Sequence, residues 1–227
     1  MDTGIEEAKK KRLLREQVYN NIKNAIISGS FESNRRLIEE RLAEDMATSR
    51  TPVREAIQKL EKEGRIYRLP RGGFAVKSVT EEEVDEILGL RSVLEGYAGY
   101  LATTRIGAQE LKALEDIVRK EEGILSDFKP EDFIQLDVEF HDVLYKAAKN
   151  NRLYGLLNDL RDFMYRYRVI ILRHMRKPHV AVRDHKEMVA WMKAKNARQV
   201  EKLIRKHILR GKEIIKKKIK QGIEARI

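Results

Sequence analysis

The chain of 227 residues contains five histidines, so each can be weighed by its neighbours. His141 follows Asp137 by four residues. On a helix that spacing sets a carboxylate and an imidazole on one face, within reach of a single ion. Phe133, Phe140, Leu144 and Ala148 recur around them at helical spacing, so the pair points into an apolar stripe. His185 sits among Val182, Met188, Val189 and Met192, and His207 among Val200, Leu203, Ile204, Ile208 and Gly211. Any one of these histidines alone reads as a core or boundary residue with a satisfied ring. Together, three helices send one Asp and three His toward one interior, and burying such groups unpaired is costly. A shared divalent ion satisfies all four, and helical bundles hold such sites in their interiors. Nitrogen and oxygen ligands leave zinc, nickel and manganese open, with zinc the first expectation. His174 and His179 flank Arg173, Arg176 and Lys177 near a helix junction and fit surface or boundary roles, with His174 also able to face inward.

A second group of residues could read DNA. Ser49, Arg50, Thr51 and Arg54 cluster at the start of an amphipathic segment, with the two arginines four apart. Arginine suits bidentate pairing with guanine in the major groove, and hydroxyls suit phosphates or bases. Downstream, Arg71 precedes Gly72 and Gly73, where a backbone without side chains can come close to a groove or a phosphate.

The elements that must position these residues fall into two styles. Before Gly73 the chain reads as short pieces. Leu14, Val18, Ile22, Ala25 and Ile26 mark a first helix stopped at Gly29, and Leu42 and Met46 mark a second. A third begins at Thr51-Pro52, with a capping hydroxyl and a first-turn proline, runs through Val53, Ala56, Ile57 and Leu60, and ends at Gly64. Ile66–Leu69 and Phe74–Val76 flank Pro70-Arg-Gly-Gly73 as a hairpin. Three helices and a hairpin describe a winged helix-turn-helix whose third helix enters the major groove. Thr80 with Glu83 forms a capping box that opens long helical patterns, expected as six helices over 80–105, 108–126, 130–149, 151–175, 178–194 and 196–222. The expected fold is therefore mainly α. A winged helix-turn-helix over residues 1–78 precedes an antiparallel helical bundle over 79–227.

Charge and composition narrow the classes. Residues 1–78 hold 17 Lys/Arg against 12 Asp/Glu, residues 79–201 hold 20 against 22, and residues 202–227 hold 10 against 2. A basic N-terminal part suits a polyanion, whereas a Lys-rich terminal helix is more often a solvated face. The absence of cysteine excludes disulfides and thiolate metal ligands and fits a cytoplasmic protein. No apolar run approaches the length of a membrane span, and the N-terminus lacks the apolar stretch of a secretory signal.

Residues 13–77 resemble the DNA-binding domain of the GntR family of bacterial regulators. The resemblance rests on Ile26-Ile-Ser-Gly29, Leu42-Ala43, Ser49-Arg-Thr-Pro-Val-Arg-Glu-Ala56, Leu60 and Glu63-Gly64. It implies operator contacts from Arg50, Arg54, Thr51 and the wing glycines. Where the family often carries an arginine two places before its Leu-Ala, this sequence has Glu40, with Arg41 beside it. Residues 80–222 resemble the FCD effector domain of the FadR branch, through Arg91-x-x-Leu-Glu95, Asp137-x-x-x-His141, Asn150, Asp184-His185 and His207. That resemblance implies a metal held by Asp137, His141, His185 and His207, and six helices imply the smaller, VanR-like version. It also implies a small carboxylic-acid effector near the metal. Arg91 is the candidate partner for its carboxylate, with a salt bridge to Glu95 as the alternative, and Arg168 is a weaker candidate. The expectation is a homodimeric transcription regulator, working as a repressor, that binds a near-palindromic double-stranded operator and responds to such an acid. Two alternatives stand beside it: a metal-dependent hydrolase, and an architectural protein that binds DNA without sequence preference.

Overall fold

The computed structural model describes residues 3–173 and 178–221. His174 lies outside them, as does the side chain of Arg168. The chain divides into two compact units, one running to Val79 and one from Thr80 to Gln221.

The first unit contains α1 (Thr3–Ile27), β1 (Arg36–Leu37), α2 (Glu39–Asp45), α3 (Arg50–Lys62), β2 (Ile66–Arg68) and β3 (Phe74–Val76). Val18, Ile22 and Ile26 from α1 meet Leu42 from α2 and Val53, Ile57 and Leu60 from α3 in one apolar cluster. The sheet closes that cluster through Leu37, Ile66, Phe74 and Val76. The expected hairpin forms, with Tyr67 opposite Ala75, and a third strand joins it: β1 pairs with β3 through Arg36–Ala75 and Leu37–Phe74. The cap of α3 needs correction. Ser49, with extended backbone, is the N-cap residue, so Thr51 lies inside the first turn and Pro52 one position further. Proline is tolerated there because the first-turn N–H groups lack intrahelical partners.

The second unit is a bundle of α4 (Glu81–Arg105), α5 (Ala108–Gly123), α6 (Pro130–Ala147), α7 (Asn151–Asp159), α8 (Arg161–Arg173), α9 (His179–Lys193) and α10 (Ala197–Lys220). Thr80 accepts a hydrogen bond from the Glu83 N–H, Asn150 from Leu153 and Asn196 from Gln199, so three helix starts are capped by side chains. Among the described residues the expected six helices are corrected to seven. The segment over 151–175 breaks at Leu160, whose N–H turns to the Asn158 carbonyl and interrupts the helical ladder without glycine or proline. The helix count therefore lends no support to the smaller version of the domain. Among the described residues no helix is long and apolar enough to cross a membrane.

α4 and α10 run antiparallel in close contact. The Lys-rich part of α10 is not simply a solvated face: Lys212 and Lys216 reach Asp85, and Lys220 reaches Glu81. Farther along, glycines let the two backbones approach. A Cβ at Gly99 would lie 2.2 Å from Ile204 Cδ1 and 3.1 Å from Val200 Cγ1, both fully buried. Gly89, on the same helix, has nothing within 4 Å of such a Cβ. Gly99→Ala is therefore expected to cost about 1–3 kcal/mol through overpacking. Gly89→Ala is expected to stabilise by up to about 1 kcal/mol through helix propensity. Thermal melts followed by circular dichroism check the opposite signs.

Candidate metal centre and candidate DNA interface

Asp137 and His141 project from successive turns of α6, His185 from α9 and His207 from α10. One ligand atom from each of the four lies within 4.8 Å of the others. Asp137, His141 and His185 are buried and His207 is nearly so. The His185 ring stacks on Phe140 with centroids 4.1 Å apart, which fixes its plane. His185 Nε2 is buried without a hydrogen bond and lies 3.8 Å from an oxygen of Asp137. A buried nitrogen aimed at a carboxylate, in a set of three imidazoles, fits a divalent ion well.

Behind each imidazole stands a carboxylate. The Glu121 oxygens, from α5, lie 2.9 and 3.0 Å from His185 Nδ1. Asp184 Oδ2, from α9, is 3.1 Å from His207 Nδ1. Glu95 Oε2, from α4, is 3.4 Å from His141 Nδ1, which also meets the Tyr145 hydroxyl at 3.3 Å. A carboxylate on Nδ1 fixes the tautomer and directs Nε2 toward the centre. The charges act on one another. Burial raises the Glu121 carboxyl above its ordinary pKa, against the pull of His185. For His185 burial acts to lower the pKa, but Glu121, Asp137 and Asp184 outweigh it and hold the ring above its usual value. For Asp184 burial acts upward, and His207 and Arg210 outweigh it, keeping the carboxyl low. Four buried carboxylates here face two guanidinium groups among the described residues, those of Arg91 and Arg210.

A small cavity of about 70 Å³ opens beside the four residues. Asp137, His141, His207, Arg91 and Arg210 form its polar wall, and Leu88, Ile171, Val180, Ile208 and Ile214 its apolar one. Arg91 is buried and its Nε lies 2.6 Å from Glu95, so the expected ion pair is present on a residue that also lines the cavity. His179 begins α9 and is exposed.

In the first unit, Ser49, Arg50, Thr51 and Arg54 are all exposed at the start of α3. The Ser49 hydroxyl makes no capping hydrogen bond. Arg50 Nη1 lies 2.8 Å from Glu40 of α2, so the residue standing in place of the expected arginine holds the first arginine of α3. Arg71 and Gly72 are exposed at the hairpin tip. Gly72 and Gly73 have φ of 80° and 82°, a region that favours glycine. A Cβ at Gly73 would also sit 3.1 Å from the Leu37 carbonyl.

Comparison with known proteins decides what these two units are. Residues 14–76 match the bacterial regulatory proteins of the gntR family, and residues 86–210 match the FCD domain. The HTH-type transcriptional regulator YdhC of Bacillus subtilis (strain 168) is 30% identical over 209 residues, 92% of this chain and 93% of that one. This chain belongs to the GntR family, with an FCD domain. The gluconate operon transcriptional repressor of Bacillus licheniformis is 31% identical over 149 residues, 65% of this chain and 60% of that protein. The solved structure of E. coli McbR/YncC shares the fold, with a TM-score of 0.72 at 24% identity over 91% of this chain and 98% of that one.

Within this GntR-family chain, two contributors carried no distinguishing signal in the sequence. Glu121 belongs to a run of acids and bases on α5 with no partner spacing to mark it inward. Arg36, on the unforeseen strand β1, donates to the carbonyls of Arg71 and Gly72 and so props the hairpin tip. Arg36→Met is expected to loosen the tip while leaving the buried cluster intact. Amide hydrogen exchange should accelerate at 71–73 and stay unchanged in α1 and α3.

Proposed function

We propose that this GntR-family regulator is a sequence-specific, homodimeric repressor whose operator affinity is set by a small carboxylic acid. The acid binds beside a divalent metal, zinc first with nickel or manganese as alternatives, held by Asp137, His141, His185 and His207. The observation that carries this reading is the convergence of those four side chains beside a cavity that two arginines line.

On the DNA side, Arg50 and Arg54 face guanine edges in the major groove from the first turns of α3. Ser49 and Thr51 take phosphates or base edges. Arg71, Gly72 and Gly73 bring the hairpin tip to the adjoining groove. Arg50 must exchange Glu40 for DNA or keep it as a brace, and both groups are exposed enough to move. Two copies set two recognition helices on a near-palindromic operator. The exposed stripe of Leu90, Val93 and Tyr97 on α4, spaced three and four apart, supports a helix-to-helix contact with the second copy. The protein is placed in the cytoplasm, where its operator lies.

On the effector side, a bound divalent ion would supply positive charge and an open coordination position for a carboxylate. Arg91 offers the planar donor pair that suits the same group. Its present partner Glu95 holds it in place until an acid arrives. The apolar wall of Leu88, Ile171 and Val180 excludes water around the rest of the molecule. A relative named as repressor of the gluconate operon is consistent with an acid as the signal.

Selection from random duplexes should enrich one near-palindromic sequence. Arg54→Ala should then weaken binding to it by about 1–3 kcal/mol and relax specificity at one position per half-site. Elemental analysis should find one divalent ion per chain, absent from His185→Ala. Titrating small carboxylic acids into the metal-loaded complex should release the operator. An acid that demonstrably binds the helical unit yet leaves operator affinity unchanged contradicts the regulatory step, and a selection that enriches nothing contradicts sequence-specific binding.

A further inference from the structure

We infer that Asp184 and Arg210 are positioning residues that set how tightly His207 holds the metal, so that an anion in the cavity tightens metal binding. The inference rests on the metal reading above and concerns how that site is regulated.

The geometry is a contest for one oxygen. Asp184 Oδ2 lies 3.1 Å from His207 Nδ1, and the same oxygen meets Arg210 Nη1. Asp184 is 1% exposed, so water does not relieve the contest. Whatever charge that oxygen directs at the guanidinium is withheld from the imidazole, and a weaker pull on Nδ1–H makes Nε2 a poorer ligand. Arg210 also lines the cavity and its side chain is 32% exposed, so it can turn toward an arriving anion. An anion that takes the guanidinium returns the full Asp184 charge to His207. Binding free energies are reciprocal, so a metal that binds tighter with the anion present also makes the anion bind tighter.

A looser form, with arginine and imidazole on the two oxygens of one carboxylate, recurs once, and the arrangement is absent once. Arg91 Nε lies 2.6 Å from Glu95 Oε1, while Glu95 Oε2 lies 3.4 Å from His141 Nδ1, and Arg91 lines the same cavity. His185 is instead held by both oxygens of Glu121, and no arginine is placed on that carboxylate among the described contacts. Two imidazoles are thus connected to the cavity through an arginine, and the third provides an internal reference.

Zinc affinity of the full chain, measured by competition with a chromophoric chelator, tests this without an acid. Asp184→Asn and Glu121→Gln should each weaken zinc binding by roughly 10–100-fold, as for other supports of metal-bound histidines. Arg210→Met, which frees Asp184 while keeping the aliphatic stem, should tighten it several-fold. That gain should vanish in the Asp184→Asn background, because the effect passes through the shared oxygen. An equal gain in both backgrounds means charge acting through space and overturns the relay, as does unchanged or weaker binding in Arg210→Met. Should Asp184→Asn fail to fold, imidazole ¹⁵N spectra of the zinc-loaded protein decide. Arg210→Met must shift the His207 Nδ1 resonance by more than that of His185, and the reverse overturns the relay. A wild-type chain that takes up none of zinc, nickel and manganese overturns both the metal reading and the relay, whereas wild-type uptake with no Arg210→Met effect overturns the relay alone.

Discussion

An apolar helical bundle does not tolerate unpaired charge, and that constraint organises the second unit of this protein. Glu95, Glu121, Asp137 and Asp184 are all buried, as are His141 and His185. Each such group carries a desolvation cost of several kcal/mol unless its lone pairs and protons find partners. The bundle answers with contacts drawn from α4, α5, α6, α9 and α10, and leaves His185 Nε2 without a hydrogen bond. These helices must keep their mutual rotation to keep the partners together. The close approach of α4 to α10 at Gly99 and the ion pairs from Lys212 and Lys216 to Asp85 serve the same end from outside the centre. Removing one member leaves the rest exposed to the full cost, so the cluster acts as a unit.

The fold was legible where a local rule had no competitor. Thr80 announced a helix start because a short polar side chain with Glu three places on, before a helical run, has one obvious use. The hairpin was legible from its glycines. The break at Leu160 was not, because Asp159-Leu160-Arg161 contains no breaker and the helical periodicity continues across it. The two-residue strand β1 was equally silent, since two residues carry no alternation and pairing with β3 is a tertiary event. Ser49 and Thr51 illustrate a smaller ambiguity. Either hydroxyl could precede the helix, and packing of Pro52 and Val53 into the core decided for Ser49.

At the candidate centre, legibility followed the same division. Histidine is rare in this chain, so Asp137, His141, His185 and His207 stood out from their apolar neighbours and the structure brings them together. Of the carboxylates behind them, Glu95 and Asp184 were marked only by the resemblance they carry. With 36 acidic residues in the chain, Glu121 looks like a member of a solvated face until the helices are packed. Arg91 kept both of its expected possibilities, since it pairs with Glu95 and lines the cavity at once. In the first unit Glu40 acquired a role that substitution patterns alone did not suggest, as the partner of Arg50.

Membership in the GntR family accounts for a DNA-binding head joined to a helical domain, while the buried charge is what motivates the proposed metal. The nature of the centre is therefore the property to measure. X-ray absorption of the protein loaded with one equivalent of zinc reads the ligands themselves. Three imidazoles and a carboxylate should give a nitrogen/oxygen shell with the outer-shell multiple scattering of three histidine rings. A shell without imidazole scattering, or zinc that remains in solution, would contradict the account.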